Sequence, residues 1–393
     1  MEDPLIHFDG LDIYLQRFSS QSHDLLPGEG IYHCPVHHQD FETKNTFVTD
    51  IGHIDDMIYM KDIDIRENKE FSYRIFMPAS KKQADQAIFL LHGFNEKNWD
   101  KYFPWAQYLT EKTGYAVILF PIAFHMNRTL SIWSDKRKMF NLSEERKKLF
   151  PNVVNSSLSN VAISMRLHSM PQRFIWSGLQ TYYDVIQFIE QCKAGKNPLF
   201  TPSTRFHMVS YSIGCLLAEI LKLTNYNHYF DNSKVCLFCG GAVFNRLSPV
   251  SKYILDSEAN IELYSFMIEH IKKHLAHDPH LKHYIDGPHQ EGQILYSMLD
   301  YKVKREYREE LFQQVSQDIL SVTLKKDSII PPYEIINTLQ GAARDIPIPV
   351  EIYDFPFPYT HEIPFPMLEK EKDLIDENFK KIFSKIGDFI LAG

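Results

Sequence analysis

The sequence predicts an α/β protein in which a mostly parallel central sheet is flanked by helices and carries an α-helical cap insertion. Three observations lead to that expectation. Short runs that are apolar throughout, such as Ala87 to Leu91 and Tyr115 to Phe120, fit strands buried on both faces. Segments with apolar residues three and four apart lie between such runs, and strand, helix, strand at this spacing implies right-handed crossovers in a parallel sheet. No internal repeat or low-complexity linker divides the chain, so one large sheet domain with insertions accounts for its 393 residues.

With 44% apolar residues and 13% aromatics, the composition is globular rather than disordered or collagen-like. A net charge of −8, without a Lys/Arg stripe interleaved with aromatics, offers nucleic acid no electrostatic footprint, and no nucleic-acid partner is expected. The opening MEDPLIHFDG has neither the basic nor the apolar region of a secretory leader. No apolar run approaches the roughly 18 residues of a membrane span, so a cytoplasmic protein is expected. Five cysteines spread through a long chain do not suggest a disulfide framework. Cys236 and Cys239, in the apolar run Val235 to Phe244, should face opposite sides of a strand and form neither a metal site nor a redox pair.

In chain order, residues 1–56 read as a polar, irregular N-terminal extension. Its one concentrated feature is His33, Cys34, His37 and His38, with His23 and His53 nearby. Imidazole and thiolate suit zinc, but a closed site needs four ligands and a second pair at comparable spacing is missing, so a His-rich loop and no metal are expected. The first part of the core spans 57–245, with an insertion at 122–173. Within it MIYMKDIDIR and FSYRIFMP read as a hairpin turning at Glu67 to Glu70. The strand at 86–91 stops at His92-Gly93-Phe94-Asn95, and a helix over Trp99 to Lys112 follows, closed by Gly114. After the strand at 115–120 comes the first insertion, with an exposed charged helix at Ser143 to Lys148. A helix over Phe174 to Cys192, the strand from Arg205 with its helix, and a strand over Val235 to Val243 complete this part. Residues 246–317 carry helical signals, among them ELYSFMIEHIKKHL and YREELFQQV, and read as an α-helical lid. The second part of the core, 318–393, holds strands at Ile319 to Leu324 and Val350 to Tyr353. An amphipathic helix over Leu368 to Ile390 closes the chain, with Leu374, Phe379, Ile382, Phe383 and Ile386 on its apolar face.

The chemistry gathers at strand ends. In RFHMVSYSIGCLLAEILKL, Phe206, Met208 and Val209 read as strand and Ile213 to Leu223 as helix, which leaves Ser212 at the turn between them. Ser210 and Gly214 stand two residues to either side, giving G-x-S-x-G with Ser for the first Gly. A serine that opens a helix can also be a plain N-cap. Asp327, in LKKDSIIPP, follows the penultimate strand, where its carboxylate could orient an imidazole; Asp354 and Asp318 fall within strand runs and fit less well. His361, in PFPYTHEIPFP, follows the last strand in a loop stiffened by prolines. Ser, Asp and His thus each stand past a strand's carboxyl end, where open parallel sheets bind ligands.

On SYSIG, LLHGF, KKDSIIP and YTHEIPF, over roughly Phe71 to Ile390 outside the two insertions, the chain resembles the serine-nucleophile branch of the α/β-hydrolase superfamily. The resemblance implies Ser212 as nucleophile, His361 as its base and Asp327 as the orienting acid, with no cofactor. It also implies an oxyanion hole from the amides of Ile213 and Phe94, with Asn95 the alternative to Phe94. Ser210 and residues 1–56 depart from the family pattern. The reaction implied is hydrolysis of a small-molecule ester, or of an amide, through an acyl-enzyme. Tyr211, His125 and Arg128 are the candidates for substrate binding; His125 and Arg128, with Arg166 and His168, could meet a substrate carboxylate. A non-catalytic binding module is the other reading, since fold does not settle function.

Overall fold

The computed structural model describes residues 34–45, 61–366 and 368–393. Eight strands form one sheet: β1 (Val36–Glu42), β2 (Glu70–Phe76), β3 (Ala84–Leu91), β4 (Ala116–Leu119), β5 (Phe200–Tyr211), β6 (Val235–Phe238), β7 (Ile319–Leu324) and β8 (Val350–Tyr353). Their order in space is β1-β2-β4-β3-β5-β6-β7-β8. β2 pairs antiparallel with β1 and β4, and every pairing from β4 through β3 to β8 is parallel. This mostly parallel sheet with flanking helices is the α/β-hydrolase architecture.

The apolar runs dictate the layering. Along β3, Ala87, Phe89 and Leu91 enter one core while Ile88 and Leu90 enter the other, and β4 divides Ala116 and Ile118 from Val117 and Leu119 in the same way. The stretches Ala87 to Leu91 of β3 and Ala116 to Leu119 of β4 have no polar position and need apolar cover on both sides, because their side chains alternate. The helices Phe103–Thr113 and Lys372–Leu391 cover one face through Trp105, Leu109, Phe379 and Ile386. Arg173–Lys193 and Gly214–Thr224 cover the other through Ile175, Phe188, Leu217 and Leu221. Each such side chain contributes roughly 1.5–3 kcal/mol on burial.

Several expectations are corrected. Residues 36–42, expected to be irregular, are edge strand β1, in register with β2 from Val36 opposite Phe76 to Glu42 opposite Glu70. Only Val36 and Phe41 of that strand are buried, so no apolar alternation announced it. His37 and His38 therefore lie on a strand rather than in a loop. His23, His33 and His53 lie outside the described residues, and among the described ones no three His, Cys, Asp or Glu converge as metal ligands. The first strand of the expected hairpin, over 57–66, begins outside the described residues, and its described part forms no strand: the turn Asp62–Asp64 and the short helix Arg66–Lys69 precede β2, which pairs with β1 instead. β6 stops at Phe238 because Cys239 (φ +51°) and Gly241 (φ +112°) bend the chain away. Cys239 thus sits past the strand and enters the same core as Cys236, both as buried free thiols, instead of facing the opposite side. A helix at Pro332–Leu339 was not expected, and Leu374 is 42% exposed rather than part of the apolar face.

Residues 122–173 include helices Lys136–Leu149 and Val161–Ser169, and their Trp133, Leu142 and Val161 share a small core with Ile65. Residues 246–317 run through helices from Ser257–Tyr264 to Arg305–Gln314, and their Leu263, Phe266, Leu281 and Ile294 belong to the core on one face of the sheet. Among the described residues, no helix is long and apolar enough to cross a membrane.

Candidate active site

β5 ends at Tyr211 and the next helix begins at Gly214, so Ser212 stands in the bend, at φ +56°. That left-handed conformation costs a residue with a side chain roughly 1–3 kcal/mol. Its neighbours hold it there. The Ser212 N–H donates to the Phe238 carbonyl (3.1 Å), and the Ser212 carbonyl accepts from the Cys215 N–H (3.0 Å). A Cβ on Gly214 would lie 2.6 Å from the His92 carbonyl oxygen and 2.8 Å from that of Leu91, so the helix can start against the end of β3 only with glycine. The serine in the first glycine position is accommodated: the buried Ser210 hydroxyl donates to the Cys236 carbonyl at 3.2 Å.

Three strand ends bring the chemistry together. Ser212 Oγ lies 2.7 Å from His361 Nε2, and His361 Nδ1 lies 2.7 Å from Asp327 Oδ2. Asp327 Oδ1 accepts the amide protons of Ile329 and Ile330, both at 2.9 Å. With a carboxylate on Nδ1, the imidazole carries its proton there and turns the Nε2 lone pair to the serine hydroxyl. Ser212, Asp327 and His361 are 6%, 4% and 3% exposed, so these bonds operate out of bulk water. The competing carboxylates lie elsewhere: Asp354 pairs with Lys325 and Lys326, and Asp318 with Lys222 and Lys234.

The loop after β3 is fixed beside Ser212. A Cβ on Gly93 would lie 3.4 Å from Ser212 Cβ. The Gly93 N–H donates to the Tyr102 hydroxyl (2.8 Å), which donates to Glu96 Oε1 (2.9 Å), and Glu96 also pairs with Lys101. Among the described residues, the amides of Phe94 and Ile213 have no acceptor. The Asn95 side chain is committed to the carbonyls of Ser159 (2.9 Å) and Tyr253 (2.6 Å), one in residues 122–173 and one in 246–317.

The substrate-binding candidates separate. Tyr211 is buried; its hydroxyl donates to the His361 carbonyl and its ring stacks on the imidazole, 5.6 Å between centroids at 19°, so it positions the histidine rather than lining the cleft. Arg128 is fully buried and binds Asp184 (2.8 Å), Asn68 and the Pro121 carbonyl, which makes it a structural ion pair and not a substrate contact. His168 lies against the Phe150 ring. His125 does line the cleft, with its Nε2 buried and unpartnered, and burial holds its pKa down to about 3. Arg166 also faces the cleft while binding Asp62 (2.8 Å).

Ser212, Phe94 and Ile213 open on an apolar cleft of about 400 Å³ that Leu247 and Leu263 help to wall. From Phe94 and Ile213 an apolar arm of about 610 Å³ continues along Leu216, Leu217 and Ile220 to Leu295. A polar arm of about 480 Å³ leads from Phe94 past Asn95 to Lys97 and Arg166. Phe94 and Phe174 wall all three spaces. Glu96 and Lys97 carry no signal in the sequence beyond lying in the polar stretch between the β3 turn and the following helix, and Tyr102 reads there only as part of that helix's apolar face.

No curated protein matches the chain. Among solved structures, carboxyl esterase 2 from the mycorrhizal fungus Tuber melanosporum is similar at 12% identity and a TM-score of 0.46, over 99% of this chain and 100% of that one. The esterase of the archaeon Pyrobaculum calidifontis is similar at 11% identity and a TM-score of 0.44, over 98% and 88%. A family profile described as a family of unknown function, DUF6051, matches residues 3–391, and the chain belongs to that family.

Proposed function

We propose that the protein is a serine hydrolase of the carboxylesterase kind, which cleaves a small-molecule ester through an acyl-enzyme on Ser212. The observation that supports this most is the continuous relay of Ser212, His361 and Asp327, with both hydrogen bonds at 2.7 Å and the carboxylate braced by two amides. His361 Nε2 takes the hydroxyl proton as Ser212 Oγ bonds to the substrate carbonyl carbon. The carbonyl oxygen gains the charge and is met by the amides of Ile213 and Phe94, with Asn95 the alternative to Phe94. His361 then gives its proton to the departing alcohol oxygen, and a water activated by the same nitrogen releases the acid and restores Ser212. These groups suffice without a cofactor. Residues 246–317 serve as the lid over the apolar arm.

Hydrolysis of p-nitrophenyl acetate and butyrate tests the reading. Ser212→Ala should lower kcat by as much as about six orders of magnitude, the scale on which one triad member removes the function of all. A folded Ser212→Ala protein with the wild-type rate would contradict it. A folded wild-type protein that turns over neither esters nor amides would favour the binding module.

A further inference from the structure

We propose that the substrate carries a carboxylate at the end remote from its scissile bond, bound by Lys97 and Arg166 in the polar arm of the cleft; this rests on the serine-hydrolase reading above. Lys97 follows Phe94 by three residues on the loop that runs beside Ser212, and Lys97, Arg166 and His125 wall the same space. Among the described residues, Lys97 has neither an ion-pair nor a hydrogen-bond partner. The adjacent carboxylate, Glu96, is taken by Lys101 and the Tyr102 hydroxyl. Arg166 gives one nitrogen to Asp62, whose other oxygen binds Arg173 (2.5 Å), and no described acceptor meets its Nε or Nη2. Its guanidinium carbon lies 4.7 Å from the Phe124 ring centre and 4.4 Å from that of Trp133, which fixes its plane. The unpartnered Nε2 of His125 lies in the same wall, on a ring 5.3 Å from that of Phe94.

Cationic donors left open in a partly dry cavity are costly, and a carboxylate satisfies both kinds, bidentate on arginine and as a point contact on lysine. The opposite arm is apolar, so the two arms differ in the substrate ends they accept. Burial, and then the charge of Arg166, lower the Lys97 pKa to about 8, with Glu96 opposing. Arg173 and neutral His125 are the remaining titratable groups of this wall. Lys97 is therefore charged at neutral pH and loses its proton as pH rises through about 8.

Kinetics with p-nitrophenyl acetate, p-nitrophenyl hemisuccinate and 4-acetoxybenzoate test the proposal, the last two carrying the carboxylate on the acyl and on the alcohol side. Lys97→Gln should lower the ratio of kcat/KM for a carboxylated over the neutral ester by roughly 10- to 100-fold, the scale of one charged hydrogen bond. The loss should appear mainly in KM, and Lys97→Arg should retain most of the ratio. In the wild type, the ratio should fall as pH passes about 8. A ratio indifferent to Lys97→Gln for both carboxylated esters overturns the proposal. Calorimetric titration of Ser212→Ala with glutarate separates it from the parent reading: binding weakened about tenfold by Lys97→Gln supports the anion site even without turnover, and absent binding overturns it even where neutral esters are cleaved.

Discussion

At φ +56°, Ser212 is strained for any residue with a side chain, and the strain is held by β6, by the next helix and by the glycines around it. Ser212→Gly should therefore be more stable to urea than Ser212→Ala by about 1 kcal/mol, although both lack the nucleophile. Equal stabilities would mean that the bend is relaxed. Asp327→Asn keeps the shape but offers an amide to Nδ1, so turnover should fall by about four orders of magnitude in a folded protein. Glu219, about two turns past Ser212 on the helix that follows it, is buried with both oxygens unpartnered, and burial raises its pKa well above 4.5, against a smaller pull from Arg308. A raised folded-state value makes the contribution complete below about 4.5 and lost as pH climbs toward that folded value. Glu219→Gln should thus gain on the wild type in thermal unfolding as pH rises from 5 to 8, and parallel curves would contradict the assignment. At this scale, Ser212, Asp327 and His361 were legible because each follows a strand ending that the apolar runs mark out. Arg128 was not, because its partner Asp184 lies on a distant helix that only the folded chain brings near.

Elements position what the residues do. The loop after β3 is tied through Asn95 to residues 159 and 253, and the helix Gln290–Leu299 supplies Leu295 to the end of the apolar arm. Leu295→Trp should fill that end and lower kcat/KM for p-nitrophenyl octanoate at least tenfold more than for the acetate, a loss of over about 1.4 kcal/mol of transition-state binding. An unchanged chain-length profile would place the acyl group elsewhere. β4 and the Ala87 to Leu91 part of β3 could be read because every position there is apolar. β1 could not, because an edge strand reading VHHQDFE buries only two side chains and borrows its order from the β2 ladder. The helix Pro332–Leu339 was hidden by prolines that look like loop anchors, although proline suits a helix's first turn.

At the scale of the molecule, burial depresses three imidazoles among the described residues, His92 and His125 to about 3 and His207 to about 4. Two of them accept backbone N–H groups that only a neutral ring can accept, Ile122 on His92 (2.9 Å) and Lys234 on His207 (3.1 Å). Depressed folded values mean stability that is present above about 6.5 and lost as pH falls toward 3 to 4, at up to about 1.4 kcal/mol per pH unit for each ring. Urea titrations should accordingly show these rings taking up nearly three protons on unfolding at pH 5 and roughly two at pH 6, and a flat profile there would contradict their burial. The parallel order from β4 and β3 through β8 sets the carboxyl ends of β5, β7 and β8 on one edge of the sheet, so residues 212, 327 and 361 meet although the chain keeps them far apart. The most direct test of that convergence is reaction with a fluorophosphonate, whose tetrahedral phosphorus adduct mimics the acyl-transfer intermediate. Intact mass should show one adduct per chain, mapped to Ser212 and absent from Ser212→Ala and His361→Ala. A folded protein that takes no label between pH 6 and 9, or takes it on another serine, would contradict the central claim.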